Sequence, residues 1–249
     1  MSNYKICYAF LVTDIINNEE SWYNYFNSNN EDFELLIHFA HSNESKHLSK
    51  LTSNIYVNKV PSKWAKLLEV ELFLMEEAIK LNCDKIIFLS HSCLPVKPSA
   101  YIHKYLSNTN SYIYYNEPTD GQWDRYPARH SFTKAHQQWC ILDKQHFKLF
   151  LEHPLRNYFE NQVTFPEESY FASILNEKGL LSEKDCKLEM TTFVDWTRDP
   201  GHPGPYFFSN YNDYDYNIMR TAKETSHNLF IRKMSNNLDS KLIELIHNK

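Results

Sequence analysis

Two adjacent glutamates, Glu167 and Glu168, have the type and position to do acid–base chemistry. They lie in the segment TFPEESYFASIL, where Thr164 can cap a predicted helix and Pro166 suits its first turn. Glu167 would complete a capping box with Thr164, which leaves Glu168 available. A carboxylate beside buried aromatic residues is a candidate general base. The simpler alternative is that both glutamates only stabilise the positive end of the helix dipole.

Glycine is scarce, with only four residues of this type in the chain. The motifs GxGxxG, GxxxxGK[ST] and GxSxG each need glycines at close spacing, and none of them occurs. The sequence therefore argues against a dinucleotide-binding Rossmann site, a P-loop NTPase and an α/β-hydrolase.

The N-terminal part of the chain alternates between strand-like and helix-like segments. Apolar runs predict buried strands at residues 4–13, 33–39, 54–57 and 85–90. Apolar residues at helical spacing predict helices around residues 22–26 and over 64–81. This alternation indicates an α/β fold with a mostly parallel central sheet and helices on both faces. Ligands bind at the carboxyl ends of strands in such sheets, and His91 and Ser92 follow the strand at 85–90.

The rest of the chain predicts further elements around one long loop. We expect strands at residues 112–115, 137–142 and 188–196, and helices at 101–106 and 146–151. Residues 117–136 form a polar loop rich in Arg, His and Tyr, and loops of this length are usually functional. No repeat or linker divides the sequence, so we expect a single catalytic domain over residues 1–249.

The composition excludes some partners and favours others. The net charge is -5 and no dense Lys/Arg stripe is present, which argues against nucleic-acid binding. The 17 Tyr, 16 Phe and 5 Trp exceed what a core needs, and aromatic side chains often stack on sugar rings.

The cysteines and the N-terminus bear on the compartment. Five widely spaced cysteines without a CxxC or a zinc-type spacing are typical of buried free thiols in a reducing compartment. The apolar N-terminal run lacks a basic flank and the length of a membrane span. We therefore expect a soluble, cytoplasmic protein with no transmembrane segment.

Six motifs in a fixed order resemble a known family. They are WAKLLEVELFLMEEAIK, IIFLSHSCLPVKP, KAHQQWCIL, FPEESYF, FVDW and LFIRKMS. Together they resemble the core-2/I-branching β-1,6-N-acetylglucosaminyltransferase family, which includes the protein xylosyltransferases and a related plant branch. The resemblance extends over roughly residues 4–235.

The resemblance implies a fold and a reaction. It implies a GT-A-like nucleotide-sugar fold and an inverting transfer from a UDP-sugar to a hydroxyl of a glycan or glycoprotein. GlcNAc and xylose are the first donor sugars to expect. It also implies that no divalent metal is needed, and no cofactor is expected, since the UDP-sugar is a co-substrate.

The resemblance also implies roles for individual residues. Glu168 corresponds to the catalytic base, and Lys233 to the lysine that neutralises the leaving diphosphate. The family's second cation at the diphosphate has no clear counterpart in this sequence, and Arg232 and Arg198 are the candidates for it. The tryptophans expected to pack the acceptor or its sugar are Trp196, Trp139 and Trp64.

Two positions depart from the family pattern. Ala40 stands where the family often has an Asp that helps to bind uridine, and Met234 replaces the last Phe of the LFxxKF motif.

A metal-binding Asp-x-Asp motif is the main alternative to a metal-free reaction. Asp213 and Asp215 form such a motif, but it is polar, late in the chain and expected at the surface. A metal-dependent GT-A transferase of another family therefore stays a competing hypothesis. A third is a carbohydrate-binding protein that kept the fold and lost catalysis, which would predict disruption of Glu168 or Lys233, and both are present.

Overall fold

The computed structural model describes residues 4–29, 31–197, 204–209, 211–239, 241, 242 and 244. The strands in these residues are β1 (Ile6–Val12), β2 (Phe33–Phe39), β3 (Ile55–Val57), β4 (Lys85–Ser90), β5 (Leu94–Pro95), β6 (Ser111–Tyr112), β7 (Tyr115–Asn116), β8 (Ala135–His136), β9 (Ile141–Asp143), β10 (Cys186–Lys187), β11 (Thr192–Val194) and β12 (Phe230–Arg232). The helices are α1 (Glu19–Asn27), α2 (Leu68–Lys80), α3 (Ser99–Leu106), α4 (Asp120–Trp123), α5 (Lys144–Glu152), α6 (Arg156–Gln162), α7 (Tyr170–Glu177) and α8 (Asp213–Glu224).

A central sheet of seven described strands has the order β10-β6-β9-β4-β1-β2-β3. Within it β9 runs antiparallel to its neighbours, and the other pairings are parallel. Two smaller sheets, β11-β12-β5 and β7-β8, complete the strand pairing of the described chain. The mixed α/β fold with a mostly parallel sheet, predicted from the sequence, is confirmed.

Strand β1 shows why the sequence pattern predicts this sheet. All of its residues are buried, because helices cover both faces. Tyr8 and Phe10 belong to the core that includes residues of α1, α3 and α8, and Cys7 and Ala9 to the core that includes residues of α2, α5, α6 and α7. A strand buried on both faces appears in the sequence as a continuous apolar run.

Several predicted elements are shorter than their apolar runs. The helix expected over 64–81 begins at Leu68, and the strand expected over 137–142 begins at Ile141. The segment 112–115 divides between β6 and β7, and 188–196 contributes only Thr192–Val194. Trp64, Leu188 and Trp196, which fall outside these elements, are exposed, so an apolar side chain does not by itself place a residue in a strand or helix.

The cysteines have the environment that the sequence predicts. All five cysteines are buried and free. Within the described residues, each helix falls short of the length or the hydropathy needed to cross a membrane.

The loops that follow β1 and β4 meet at the carboxyl edge of the sheet. The main-chain N–H of Asn17 donates a hydrogen bond to the carbonyl of His91 at 2.8 Å. The chain continues from β1 to β2 on one side of β1, whereas β4 lies on the other side. This divergence is the topological switch point at which α/β sheets bind ligands.

Candidate active site

The segment from Arg232 to Ser235 lies over this switch point. The N–H of Met234 donates to the carbonyl of Ser92 at 2.9 Å. The side-chain amides of Asn17 and Asn18 donate to the carbonyls of Met234 and Ser235 at 2.8 and 2.6 Å. The main chain that carries Arg232 and Lys233 is therefore fixed to the loops after β1 and β4.

Arg232 lies on the ring of Trp139, with its guanidinium carbon 4.4 Å from the ring centroid. Burial lowers the pKa of Arg232, while Cys93 and Glu168 act in the opposite direction. The buried Nε has no hydrogen-bond partner among the described residues. A buried guanidinium stays charged and can bind an anion.

Lys233 and His91 share this electrostatic environment. Burial, and then the charge of Arg232, lower the pKa of Lys233. Burial also lowers the pKa of His91, with smaller contributions from Arg232 and Lys233. Two adjacent cations near a neutral histidine make this part of the site favourable for an anion.

The turn with the two glutamates differs from the sequence prediction. Thr164 does not cap a helix: Phe165 adopts a left-handed conformation with φ 58° and precedes a 3-10 helix of Pro166–Glu168. Helix α7 follows at Tyr170. The predicted capping box is therefore wrong, because a capping residue needs an extended backbone just before the first helical turn.

The burial of the two glutamates is the reverse of the expectation. Glu167 is only 2% exposed, and its Oε2 accepts a hydrogen bond from the N–H of Leu67 at 3.2 Å. The side chain of Glu168 is 37% exposed, and its Oε2 pairs with Nη1 of Arg125 at 2.8 Å. Glu168 is thus the carboxylate that remains open to a substrate.

Arg125 comes from the long polar loop and contacts the turn three times. Its guanidinium pairs with Glu168 and stacks on the ring of Phe165, 4.7 Å from the centroid. Its carbonyl accepts a hydrogen bond from the N–H of Thr164 at 3.1 Å. The loop at 117–136 is therefore connected directly to the glutamate turn.

Helix α2 joins the glutamate turn to Arg232: Glu167 accepts the N–H of Leu67 just before α2, and Gln138 donates to Glu71 on α2. Trp139, next to Gln138 in the chain, carries the guanidinium of Arg232, and the charge of Glu168 acts against the lowering of the pKa of this guanidinium by burial. Each of the two groups has its own support, Arg125 for Glu168 and Trp139 for Arg232. The arrangement offers a proton acceptor near fixed positive charge, which suits a displacement whose leaving group becomes negative.

The three predicted tryptophans have different environments. Trp196 is 59% exposed and Trp64 is 85% exposed. The ring of Trp64 packs edge-on against Phe165, with the centroids 4.9 Å apart. Trp139 is buried and Arg232 lies over its ring, so this ring supports the cation. Arg198 lies outside the described residues.

The Asp-x-Asp motif has a structural role at the start of α8. The side chain of Asp215 is buried and accepts a hydrogen bond from the N–H of Asn212, while Asn212 caps the helix in return. This corrects the expectation that the whole motif lies at the surface. Asp213 is exposed and pairs with Lys241 at 3.5 Å. The described residues contain no cluster of three His, Cys, Asp or Glu side chains suited to a metal ion.

Sequence reasoning missed Arg125, Glu71 and Gln138, which lie around the glutamate turn. Arg125 is in the loop that was expected to be functional, but nothing in the sequence relates it to Glu168. Glu71 had a usable signal, because it occupies the apolar face of the predicted helix between Leu68 and Leu72.

The fold and the site define an α/β protein with basic residues and a carboxylate at the carboxyl edge of its sheet. A profile of the Core-2/I-Branching enzyme family matches residues 6–220. Because this match covers most of the sequence, the chain belongs to the Core-2/I-Branching enzyme family and is a glycosyltransferase.

Similar solved structures include three proteins of low sequence identity. One is a glycosyltransferase involved in the glycosylation of the major capsid of PBCV-1, with 12% identity, a TM-score of 0.39 and coverage of 96% of this chain and 98% of that chain. A second is 4-diphosphocytidyl-2C-methyl-D-erythritol synthase, with 10% identity, a TM-score of 0.43 and coverage of 88% and 99%. A third is A197 from STIV, with 10% identity, a TM-score of 0.33 and coverage of 70% and 78%. None of the curated proteins matches the sequence significantly.

Proposed function

We propose that this glycosyltransferase moves a sugar, GlcNAc or xylose first, from a UDP-sugar to a glycan hydroxyl with inversion and without a divalent metal. The observation that carries the proposal is a solvent-accessible carboxylate, Glu168, in the same site as the cations that the segment Arg232 to Ser235 fixes over the carboxyl edge of the sheet. In this reaction the acceptor oxygen bonds to the anomeric carbon as the bond from that carbon to the diphosphate breaks.

Glu168 takes the proton of the acceptor hydroxyl in the proposed mechanism. Arg125 binds its Oε2, and among the described residues its other oxygen accepts no hydrogen bond. A carboxylate held on one side and open on the other can receive a proton within hydrogen-bond reach of a bound hydroxyl.

Lys233 and Arg232 stabilise the charge that develops on the leaving UDP. Their main chain is fixed by hydrogen bonds to the loops after β1 and β4, so the charges are in place before the reaction. Preorganised groups of this kind need no rearrangement as charge develops. Arg198 stays a further candidate for the same role.

The acceptor binds beside exposed aromatic residues in this proposal. Trp196 and Trp64 each offer an exposed ring for a sugar to pack on. Trp139 acts instead through Arg232, because its ring face carries the guanidinium. The buried free thiols support the expectation of a reducing compartment.

A donor panel measured with and without a chelator tests the proposal. Purified protein is incubated with UDP-GlcNAc, UDP-xylose, UDP-glucose or UDP-glucuronate and an acceptor, in excess EDTA or in manganese. We expect transfer from at least one donor to persist in EDTA, and a product whose anomeric configuration is inverted by NMR. Activity that is lost in EDTA and restored by manganese would refute the metal-free mechanism.

Variants of the Asp-x-Asp motif provide a second comparison. Asp213→Asn and Asp215→Asn remove carboxylates while keeping side-chain oxygens that can still accept hydrogen bonds. We expect little change in turnover, and for Asp215→Asn a stability loss of at most about 1 kcal/mol, typical of a helix cap. A large loss of turnover with an unchanged melting temperature would favour a metal ligand.

A further inference from the structure

Two carboxylates that the proposed mechanism does not use are buried behind Glu168. Glu71, on α2, is fully buried, and Glu167 is 2% exposed. Oε1 of Glu71 accepts a hydrogen bond from Nε2 of Gln138 at 3.2 Å, whereas its buried Oε2 has no partner within the described residues. Oε2 of Glu167 accepts from the N–H of Leu67 at 3.2 Å. Such buried carboxylates need a physical explanation.

The surrounding charges do not neutralise the two groups. Burial raises the pKa of Glu71 well above its usual value, with further contributions from Glu167 and Glu168. Burial raises the pKa of Glu167 to about 7, helped by Glu168 and opposed by main-chain N–H groups and Lys66. The thiol of Cys140, whose pKa is also raised by burial and by Glu71, is a further titratable neighbour. Lys66 therefore lowers the pKa of Glu167 only slightly, and no cation counts among the main influences on the pKa of Glu71.

Lys66 and its neighbours also connect the glutamate turn to the start of α2. Nζ of Lys66 donates to the carbonyls of Val163 and Glu160 at 2.7 and 3.1 Å. The N–H of Phe165 donates to the carbonyl of Ala65 at 3.3 Å. Ala65 and Phe165 both have positive φ, 65° and 58°. Left-handed backbone at residues other than glycine costs free energy and persists only where surrounding contacts hold it.

We propose that Glu71 and Glu167 form a buried acid pair that retains at least one proton at neutral pH and positions the glutamate turn, residues 165–168, against the start of α2. Two carboxylates in one dry site cannot both ionise without a large cost, so Glu71 stays neutral. Glu167 accepts the N–H of Leu67 and is the member of the pair that titrates near neutral pH. The inference that the pair positions the glutamate turn rests on the proposed role of Glu168. The inference that the pair retains a proton is independent of that role.

The retained proton predicts the direction in which the stability of the fold changes with pH. The pKa of Glu167 rises from 4.5 to about 7 on folding, so the folded state binds more protons than the unfolded state between these values. Its contribution to stability is therefore present at low pH and is lost as the pH rises through this interval. The raised pKa of Glu71 acts in the same direction.

Melting curves of glutamine variants test the acid pair. Wild type, Glu71→Gln, Glu167→Gln and the matched control Glu69→Gln, an exposed residue of α2, are melted at a series of pH values from 5 to 8. Relative to wild type, the melting temperatures of Glu71→Gln and Glu167→Gln should rise with pH, by at least about 2 °C in a chain of this size. The control should follow wild type. Parallel curves for all four proteins would overturn the acid pair.

Infrared difference spectroscopy gives a direct measurement of the proton. Wild type at pH 8, where Glu167 is mostly ionised, should show the carbonyl band of a protonated carboxyl group, and Glu71→Gln should lack it. A spectrum of wild type without that band would also overturn the acid pair.

Kinetics of two Glu167 variants test the positioning. Glutamine can still accept the N–H of Leu67, whereas alanine cannot. We expect Glu167→Ala to lower kcat by up to about 10²-fold, the scale of a small misplacement, with little change in the KM for the donor, and Glu167→Gln to recover most of the loss. A wild-type kcat for Glu167→Ala would overturn the positioning. If Glu168→Gln proves fully active, the proposed function fails, while the melting and infrared results still decide the acid pair.

Discussion

The cation end and the carboxylate end of the site are held in place by different means. Arg232 and Lys233 lie on main chain that is hydrogen-bonded to the loops after β1 and β4, so the sheet itself places them. The turn with Glu168 instead depends on side chains of other elements, chiefly Arg125 from the polar loop and Glu167 reaching Leu67. One end is fixed by strand geometry and the other by a few polar contacts.

This difference predicts how the cation end and the carboxylate end of the site should respond to substitution. At the cation end, a change of side chain removes charge and leaves the main chain in place. At the carboxylate end, a change can alter charge, position or both, and isosteric variants are needed to separate them. The adjacent glutamates provide this separation, because one is buried in a structural contact and the other is open.

The largest effect is expected at the open glutamate. Glu168→Gln keeps the shape of the side chain but cannot take the hydroxyl proton, so turnover should fall by about 10²- to 10⁴-fold. Glu167→Gln should keep most of its activity. Turnover, melting temperature and donor binding are measured side by side. Equal activities of the two variants would refute the assignment of the base, and the reverse order would identify Glu167 as the base.

A loss of about 10²-fold or more in turnover is expected for Lys233→Ala, because it removes one preorganised charge at the diphosphate. The fold should be unchanged, since the main chain of this segment makes the structural contacts. Lys50→Ala, at an exposed lysine, is the matched control. Turnover of Lys233→Ala within about twofold of wild type, far below the typical loss, would exclude the proposed role.

The smallest effect is expected on the acceptor side. Trp196→Ala removes a 59% exposed ring, and the KM for the acceptor should rise by about 2- to 10-fold, the scale of one aromatic contact, with the donor KM nearly unchanged. Trp64→Ala, measured in parallel, shows which exposed ring contributes more. Unfolding of Trp196→Ala in a thermal melt would instead show that this ring supports the fold.

Much of the fold and part of the site can be predicted from the sequence. The apolar runs that become β1, β2 and β4 predict the sheet, because strands buried on both faces need continuous apolar residues. The order of short motifs predicts the family, which the match over residues 6–220 confirms. The types and positions of Glu168 and Lys233 also follow from those motifs.

Other features depend on contacts between residues far apart in the chain. The capping box at Thr164 was a reasonable local prediction, but Glu167 finds its partner at Leu67, 100 residues away. The salt bridge from Arg125 to Glu168 spans 43 residues, and the stacking of Arg232 on Trp139 joins two separate motifs. No periodicity or spacing in the sequence predicts contacts between such distant residues.

The sequence by itself determined which segments are buried and which chemical groups are available, because burial and residue type are local properties. Only the tertiary structure decided which of two neighbouring glutamates is buried. Glu167 can be buried because the N–H of Leu67 donates a hydrogen bond to its carboxylate there. Glu168 stays accessible because its ion pair with Arg125 holds it at the edge of the site. A charged side chain takes its environment from the partners that folding brings to it, and those partners lie on other elements.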